Sequence, residues 1–266
     1  MSDIYSFLRE KGFDVVQPSI YDAIKSWRSW YDGKVKDFHN YRVFNGQTNV
    51  DCNRMSLGMA KRVCEDWANL LENEKTLITL EKPEEQEFFD SVCAANNFEV
   101  KISEMQELKS ALGTAAYVLR VEGAEIDPET GEIGGNADGI KIDYITADRI
   151  YPLSWRNRVV RECAFLSKVT DGENEYFYIQ IHHLKSGVYY IENYLVTAKG
   201  YDEVPLSSVR GFETVQPSIN TGSDKPQFVI DRLNIVNNLD INSPMGVSVF
   251  ANSIDQLKGC DIVYDS

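Results

Sequence analysis

The chain has 266 residues, a net charge of −14 and 43% hydrophobic residues, values typical of a soluble globular protein with one or two domains. The excess of acidic residues argues against a protein that grips DNA by neutralising phosphates, because such proteins are expected to be basic. No apolar run reaches the length of a membrane helix, and the charged start MSDIYSFLREKGF lacks a signal-peptide core, so we expect a protein kept in a cytoplasm, with no membrane role.

Helices dominate the predicted first part of the chain. Apolar residues at helical spacing predict an amphipathic helix from Ser19 to Gly33, with glycine as its stop. Phe38 to Val50 is predicted to be irregular, and a second helix runs from about Cys52 to Asn73. The β-branched run Thr76 to Leu80 then predicts a strand. The apolar face predicted for the second helix consists of Ala60, Val63, Cys64, Trp67, Leu70 and Leu71.

Two further helices are predicted before the character of the chain changes. Pro83 begins the first, with acidic residues in its first turn, and the second follows Asn96-Asn97 and ends at Gly113. Alternating patterns then predict strands and an antiparallel meander. The predicted strands are Ala115 to Gly123, Ile140 to Ile145, Val160 to Thr170, Glu175 to Leu184, Gly187 to Thr197 and Gln227 to Val236. Turns are predicted at Asp127 to Gly131 and in the loop from Pro217 to Pro226.

The stretch from Ile241 to Ser266 predicts a last helix. Ser243 suits the N-cap and Pro244 the first helical position. Val247, Phe250, Ile254 and Leu257 would share one face. No glycine or proline stop closes this pattern, so we expect the chain to be a fragment of a longer protein. The predicted fold class is α+β, with N-terminal helices packed on a mainly antiparallel sheet region and a long stem-like helix at the end.

Catalytic or metal-binding patterns are weak in this sequence. Five cysteines without CxxC spacing predict free thiols, and His182 and His183 on one strand would point to opposite faces. The sequence contains no phosphate-binding loop of the common types, and we predict no cofactor, metal or catalytic residue. Two alternatives are a nuclease-like set of acidic residues and a partial calcium loop: Asp127, Asp143, Asp148 and Glu162 for the first, Asn136 and Asp138 for the second. The glycine-rich stretch Gly131 to Gly139 is better explained as a hairpin loop.

Four segments resemble, in order, tailed-phage portal proteins of Gram-positive phages. They are the W-x-x-W-Y-x-G opening at Trp27 to Gly33, the helix around Trp67 with its exit toward a strand, the segment ending in Tyr151-Pro152, and a terminal turn and helix. The terminal motif comprises Asn242, Pro244, Gly246, Ser248, Phe250, Asp255, Gln256, Leu257 and Lys258. Their order along the chain carries the resemblance.

The resemblance implies a structural protein without catalytic residues. Portal proteins form a ring, usually a dodecamer, at one capsid vertex, and double-stranded DNA passes through its channel without sequence-specific binding. The implied partners are the terminase large subunit, a head-tail adaptor and the major capsid protein. The implied location is the virion, with assembly in the host cytoplasm. Residues 1–240 would form a wing-like domain and 241–266 the start of the stem helix, before a clip that is absent here.

Two groups of residues are predicted to serve the ring. Phe250, Ile254 and Leu257 would pack helices together, and Asp255, Lys258 and Asp261 would form a polar face toward the channel or a neighbour. A local basic patch surrounds Trp155 and consists of Arg149, Arg156, Arg158 and Arg161. It is explained either by salt bridges within the chain or by a contact between subunits.

Two other functions stay open from the sequence. The first is a metal-dependent α+β hydrolase, which loss of activity with EDTA would favour. The second is another structural protein of the phage head, such as a minor head component, which would have no need of a stem-like helix.

Overall fold

The computed structural model describes residues 3–15, 19–73, 78–121, 125–126, 133–134 and 139–266. Within these ranges the α-helices are α1 (Ile4–Glu10), α2 (Ser19–Tyr31), α3 (Met59–Asn73), α4 (Pro83–Ala95), α5 (Phe98–Leu112) and α6 (Ile254–Tyr264). The strands are β1 (Asn40–Phe44), β2 (Asn49–Asn53), β3 (Thr114–Val121), β4 (Glu125–Ile126), β5 (Ile133–Gly134), β6 (Ile140–Thr146), β7 (Ile150–Arg156), β8 (Val159–Asp171), β9 (Asn174–Lys185), β10 (Val188–Thr197), β11 (Glu203–Val204), β12 (Ser218–Asn220) and β13 (Phe228–Arg232). This mixture of helices and antiparallel strands confirms the predicted α+β class.

The largest sheet contains the predicted meander. Its strands lie in the order β11-β10-β9-β8-β7, all antiparallel, and β12 pairs with β10. We call it the large sheet. Consecutive strands joined by short turns lie beside each other because a two-residue turn leaves no room for another strand. A second sheet has the order β13-β3-β6, and β1 pairs with β2 in a separate hairpin.

Two main cores hold these elements together. One joins α2, α3 and α5 to β3, β8 and the segment before α6. The other joins α1 to the face of the large sheet that carries Ala164, Ile179 and Ile181. The predicted face of α2 is confirmed, since Ile20, Ile24 and Trp27 are buried. Because one core includes residues from both ends of the chain, the terminal segment packs into the body.

The region before α3 differs from the prediction. Residues 40–53 form the β1–β2 hairpin, where we predicted an irregular segment, and α3 begins at Met59 and not at Cys52. Asn45 explains the tight turn, because its side-chain oxygen accepts hydrogen bonds from the backbone N–H groups of Gln47 and Thr48. In α3, Ala60 and Cys64 are buried, whereas the other end of the predicted apolar face is exposed: Trp67, Leu70 and Leu71.

Other predicted boundaries are partly confirmed. α4 begins at Pro83, and α5 ends at Gly113, whose φ of +83° is easily adopted only without a side chain. The loop at 217–226 contains the short strand β12. Of the predicted strand Thr76 to Leu80, residues 78–80 are not in a strand, and the rest lies outside the described residues. The turn at Asp127 to Gly131 also lies outside them, although the flanking β4 and β5 pair antiparallel.

The last helix begins later than predicted. Residues 241–250 form turns, and α6 starts at Ile254 after a 3-10 turn at Ala251–Ser253, so the predicted cap at Ser243 and helix start at Pro244 are wrong. Ser243 Oγ accepts from Met245 N–H two residues on, which is a local turn. Tertiary hydrogen bonds to the end of α5 hold this stretch out of a helix.

Candidate functional site

The terminal segment crosses the junction between α5 and β3 at very short range. Gly246 N–H donates to Thr114 Oγ1 at 2.9 Å, and Val249 N–H donates to Ser110 O at 2.9 Å. A Cβ on Gly246 would lie 2.2 Å from Gly113 O, and a Cβ on Gly113 would lie 2.7 Å from the backbone of Gly246. Two glycines therefore face each other because no side chain fits between the two backbones.

A buried polar contact fixes α6 to the chain before α3. Asp261 Oδ2 lies 2.9 Å from His39 Nε2, and Asp261 Oδ1 accepts from Leu57 N–H at 2.7 Å. Val35 N–H donates to His39 Nδ1 at 2.8 Å, so the hydrogen-bond network places the ring proton on Nε2, which donates to the carboxylate. Asp261 and His39 are each 3% exposed. The prediction of Asp261 on an exposed polar face is therefore wrong.

The other predicted residues of the terminal helix divide between core and surface. Phe250, which lies before the helix, and Leu257 are buried in the chain's own core, and Ile254 packs against it. Asp255 is exposed, and its carboxylate accepts from Lys258 Nζ at 3.0 Å. An exposed apolar set follows near the end of α6: Ile262, Val263 and Tyr264.

The predicted arginine patch lies at the hairpin that joins β7 and β8, which we call the arginine hairpin (residues 155–161). Arg156 pairs with Val159 across a two-residue turn, Asn157-Arg158, in which both residues have positive φ. Among the described residues, Arg156, Arg158 and Arg161 are exposed and form no salt bridge, and Arg149 lies 4.0 Å from Asp148. The structure therefore gives little support to salt bridges within the chain as the reason for the patch.

A fifth arginine, which the sequence did not single out, stands beside this hairpin. Arg158 and Arg232 line a cleft of about 320 Å³ with residues 233–236, and we call it the arginine cleft. Burial and the neighbouring Arg158 guanidinium lower the pKa of Arg232. Arg232 lies on β13, far from the hairpin in sequence, so only the fold brings the two arginines together.

An acidic groove lies at the opposite edge of the large sheet. It has a volume of about 620 Å³ and runs between β10 and the chain around β11 and β12. Three glutamates line it: Glu192, Glu203 and Glu213. Lys11 contacts Glu203 at 2.7 Å, and His183 Nε2 lies 3.1 Å from Glu192, so part of this charge is paired within the chain.

The predicted metal and nuclease alternatives receive no supporting geometry in the described part of the chain. Asp143 pairs with Arg120, Asp148 accepts from Thr146, and Glu162 accepts from Leu184 N–H. In the described ranges no three His, Cys, Asp or Glu side chains converge on a position that could hold a metal ion. The residues Asp127, Asn136 and Asp138 lie outside those ranges.

His182 is buried without a hydrogen-bond partner among the described residues. It is 0% exposed, neither ring nitrogen has a partner, and the rings of Phe165 and Phe228 pack edge-on against it. Burial, and secondarily the adjacent His183, lowers its pKa to about 3. His182 is therefore a neutral core residue at pH 7, and His183 points to the other face, as predicted.

Comparison with known proteins gives one match. The family model described as "Phage portal protein, SPP1 Gp6-like" matches residues 16–209, which is more than half of the chain. No curated protein matches the sequence. The matched span includes the arginine hairpin and most of the large sheet, whereas Arg232 and α6 follow it. In the part of the chain that the structure describes, no helix has the length and apolar character needed to span a membrane.

Proposed function

Because this chain belongs to the SPP1 Gp6-like phage portal protein family, we propose that it is a structural subunit of the ring at one capsid vertex through which DNA is packaged and ejected. The observation that carries this proposal is the family match over residues 16–209. The family is structural and not enzymatic, so we propose that the chain performs no catalysis. We further propose the usual dodecamer, with terminase large subunit, head-tail adaptor and major capsid protein as partners, in the virion and, during assembly, in the host cytoplasm.

The charge of the chain supports a conduit for DNA. A net charge of −14 gives a surface that on average repels phosphates, and weak attraction lets a duplex slide through a channel instead of holding it. We therefore propose that double-stranded DNA passes the ring without sequence-specific binding. The acidic balance is consistent with passage and opposes tight binding.

We assign the two regions of the chain as the sequence predicts, with residues 1–240 as the wing-like domain and 241–266 as the start of the stem. The burial of Met245, Val247 and Phe250 in the body supports a firm attachment between them. α6 would continue the stem from this attachment. The exposed Asp255 and the half-buried Lys258 would face the channel or a neighbour, and Ile254 and Leu257 would position the helix.

The arginine hairpin is the surface that we assign to contact between subunits. Arg156, Arg158 and Arg161 are exposed cations in an acidic chain and have no carboxylate partner among the described residues. In a ring of identical subunits, such a patch can meet the acidic surface of the next copy.

Mass measurement tests the proposed function. Light scattering and native mass spectrometry, on this chain and on any longer chain that its gene encodes, should give a closed oligomer near twelve subunits, and electron microscopy should show rings with a central channel. A single-subunit mass at every concentration and salt tested, for every length of chain, would refute the ring.

A further inference from the structure

The arginine cleft brings two like charges close together. Arg158 and Arg232 line one cleft, and within the described ranges neither forms a salt bridge. The hydrogen bond of Arg232 to Pro244 O is long, at 3.5 Å. The chain has 41 acidic residues and 27 basic ones. Carboxylates are therefore abundant in the chain, and yet none of the described ones pairs with these two guanidinium groups. Two adjacent guanidinium groups form a favourable site for an oxyanion.

Arg158 adopts a left-handed backbone conformation that is unfavourable in free energy for an arginine. Its φ is +65°, in the second position of a two-residue turn where glycine would be favoured. A side chain other than glycine, asparagine or aspartate is uncommon there. The turn fixes the direction in which Arg158 leaves the sheet, so the cleft is preorganised on a rigid element.

The remaining walls of the cleft suit a protein side chain as its occupant. Asn234 adds a polar amide, and Ile235 and Val236 are exposed apolar residues. Arginine surrounded by apolar groups is typical of the energetically important centres of protein interfaces. A volume of about 320 Å³ accommodates the carboxylate and methylenes of one or two acidic side chains.

The sheet order places the arginine hairpin and the acidic groove at opposite edges of the large sheet. β7, at one edge of the large sheet, leads into the arginine hairpin, and β10 and β11 border the groove at the other edge. A contact between two different surfaces of identical chains is heterologous, and repetition of such a contact gives a ring when the rotation between neighbouring copies closes. The opposite charges of the two surfaces would also favour this orientation over a symmetric pair.

We propose that the arginine cleft of one copy binds the carboxylate of Glu213 in the acidic groove of the next copy. This inference rests on the proposed ring and names the two surfaces that join its subunits. Arg158 and Arg232 supply the cations, and the apolar rim excludes water around the ion pairs.

Reversal of the charge at either surface tests the pairing. The variants are made in the shortest length of this chain that assembles into a ring. Arg158→Glu should raise the concentration for half-assembly by about tenfold or more, measured by light scattering at low salt. Glu213→Arg alone should have a similar effect, and the double variant should return within about threefold of the unmodified chain. Lys25→Glu is the matched control, since it reverses the same charge at an exposed position on α2 that lies outside the arginine hairpin and lines neither the cleft nor the groove, and it should have less than about a threefold effect.

Folding and the alternative ligand are checked in the same experiment. Arg158→Asn keeps a residue that tolerates positive φ, and its circular dichroism should equal that of the unmodified chain. If the ring forms equally well with Arg158→Glu, the proposed pairing is refuted and the proposed portal function is not. If no chain assembles, both the pairing and the portal function are refuted. If assembly is unchanged and Arg158→Asn instead lowers retention of duplex DNA, the cleft binds phosphate and the proposed pairing is wrong.

Discussion

The buried His182 should make the stability of this protein sensitive to mild acid. In the folded chain its pKa is lowered to about 3, against an ordinary value of 6.5, because burial disfavours the charged ring. The unfolded chain therefore binds a proton below pH 6.5 that the folded chain does not bind. The stability that depends on neutral His182 is full above pH 6.5 and is lost as the pH falls toward 3.

The magnitude follows from the two pKa values. Each pH unit below 6.5 lowers the free energy of unfolding by a little over 1 kcal/mol, so at pH 4.5 it should be lower by roughly 3 kcal/mol through this residue alone. His182→Met removes the titration and keeps a side chain of similar size in the pocket between Phe165 and Phe228. It also removes two ring nitrogens without partners, which should stabilise the protein by about 1–2 kcal/mol at pH 7.

Urea unfolding at pH 7 and at pH 4.5 measures this effect. The difference between the two pH values should be smaller in His182→Met than in the unmodified chain by about 2–3 kcal/mol, because all other titrating groups cancel. His183→Gln is the matched control, since it removes the adjacent, half-buried histidine and should retain the acid sensitivity. An equal pH dependence in His182→Met and the unmodified chain would refute the reasoning.

Three further predictions concern the terminal segment. Gly246→Ala places a Cβ 2.2 Å from a backbone oxygen and should destabilise the protein by about 3 kcal/mol in thermal unfolding, whereas Gly259→Ala, in open space on α6, should be neutral or stabilising. Asp261→Ala leaves buried donors unpaired and should cost about 3 kcal/mol, with faster hydrogen exchange in α6, and the exposed Asp255→Ala should not. Cys260, which is exposed, should be the first thiol to react with a disulfide reagent under native conditions, and the fast phase should vanish in Cys260→Ser.

Local patterns predicted the three central strands of the large sheet, β8, β9 and β10, whereas β7, β11 and β12 were not predicted as strands. In each half-buried strand, apolar and polar residues alternate with a period of two, which identifies the strand. The short turns between these strands then fix their antiparallel order. α2 was likewise predicted because its apolar residues recur at helical spacing and Gly33 follows it. The family resemblance rested on such local motifs, and the family match confirms it.

Tertiary contacts decided what the sequence could not predict. Ser243 and Pro244 have the chemistry of a helix start, but the hydrogen bonds of Gly246 and Val249 to the end of α5 impose turns on the segment. The spacing of Asp261 on α6 gives no sign that His39 meets it from the other end of the chain. Only one of the two arginines of the cleft could be predicted from the sequence. Arg158 belongs to a local cluster, whereas Arg232 reaches it only through the pairing of β13 with β3.

The contact between His39 and Asp261 also has a consequence for folding during synthesis. The two residues are 222 positions apart, so at about 5–20 residues per second the ribosome delivers Asp261 roughly 10–45 s after His39. Until then the imidazole and Leu57 N–H lack the carboxylate that satisfies them. The hairpin β1–β2 and the start of α3 should therefore become protected from proteases only after Asp261 has been made, although they are made much earlier.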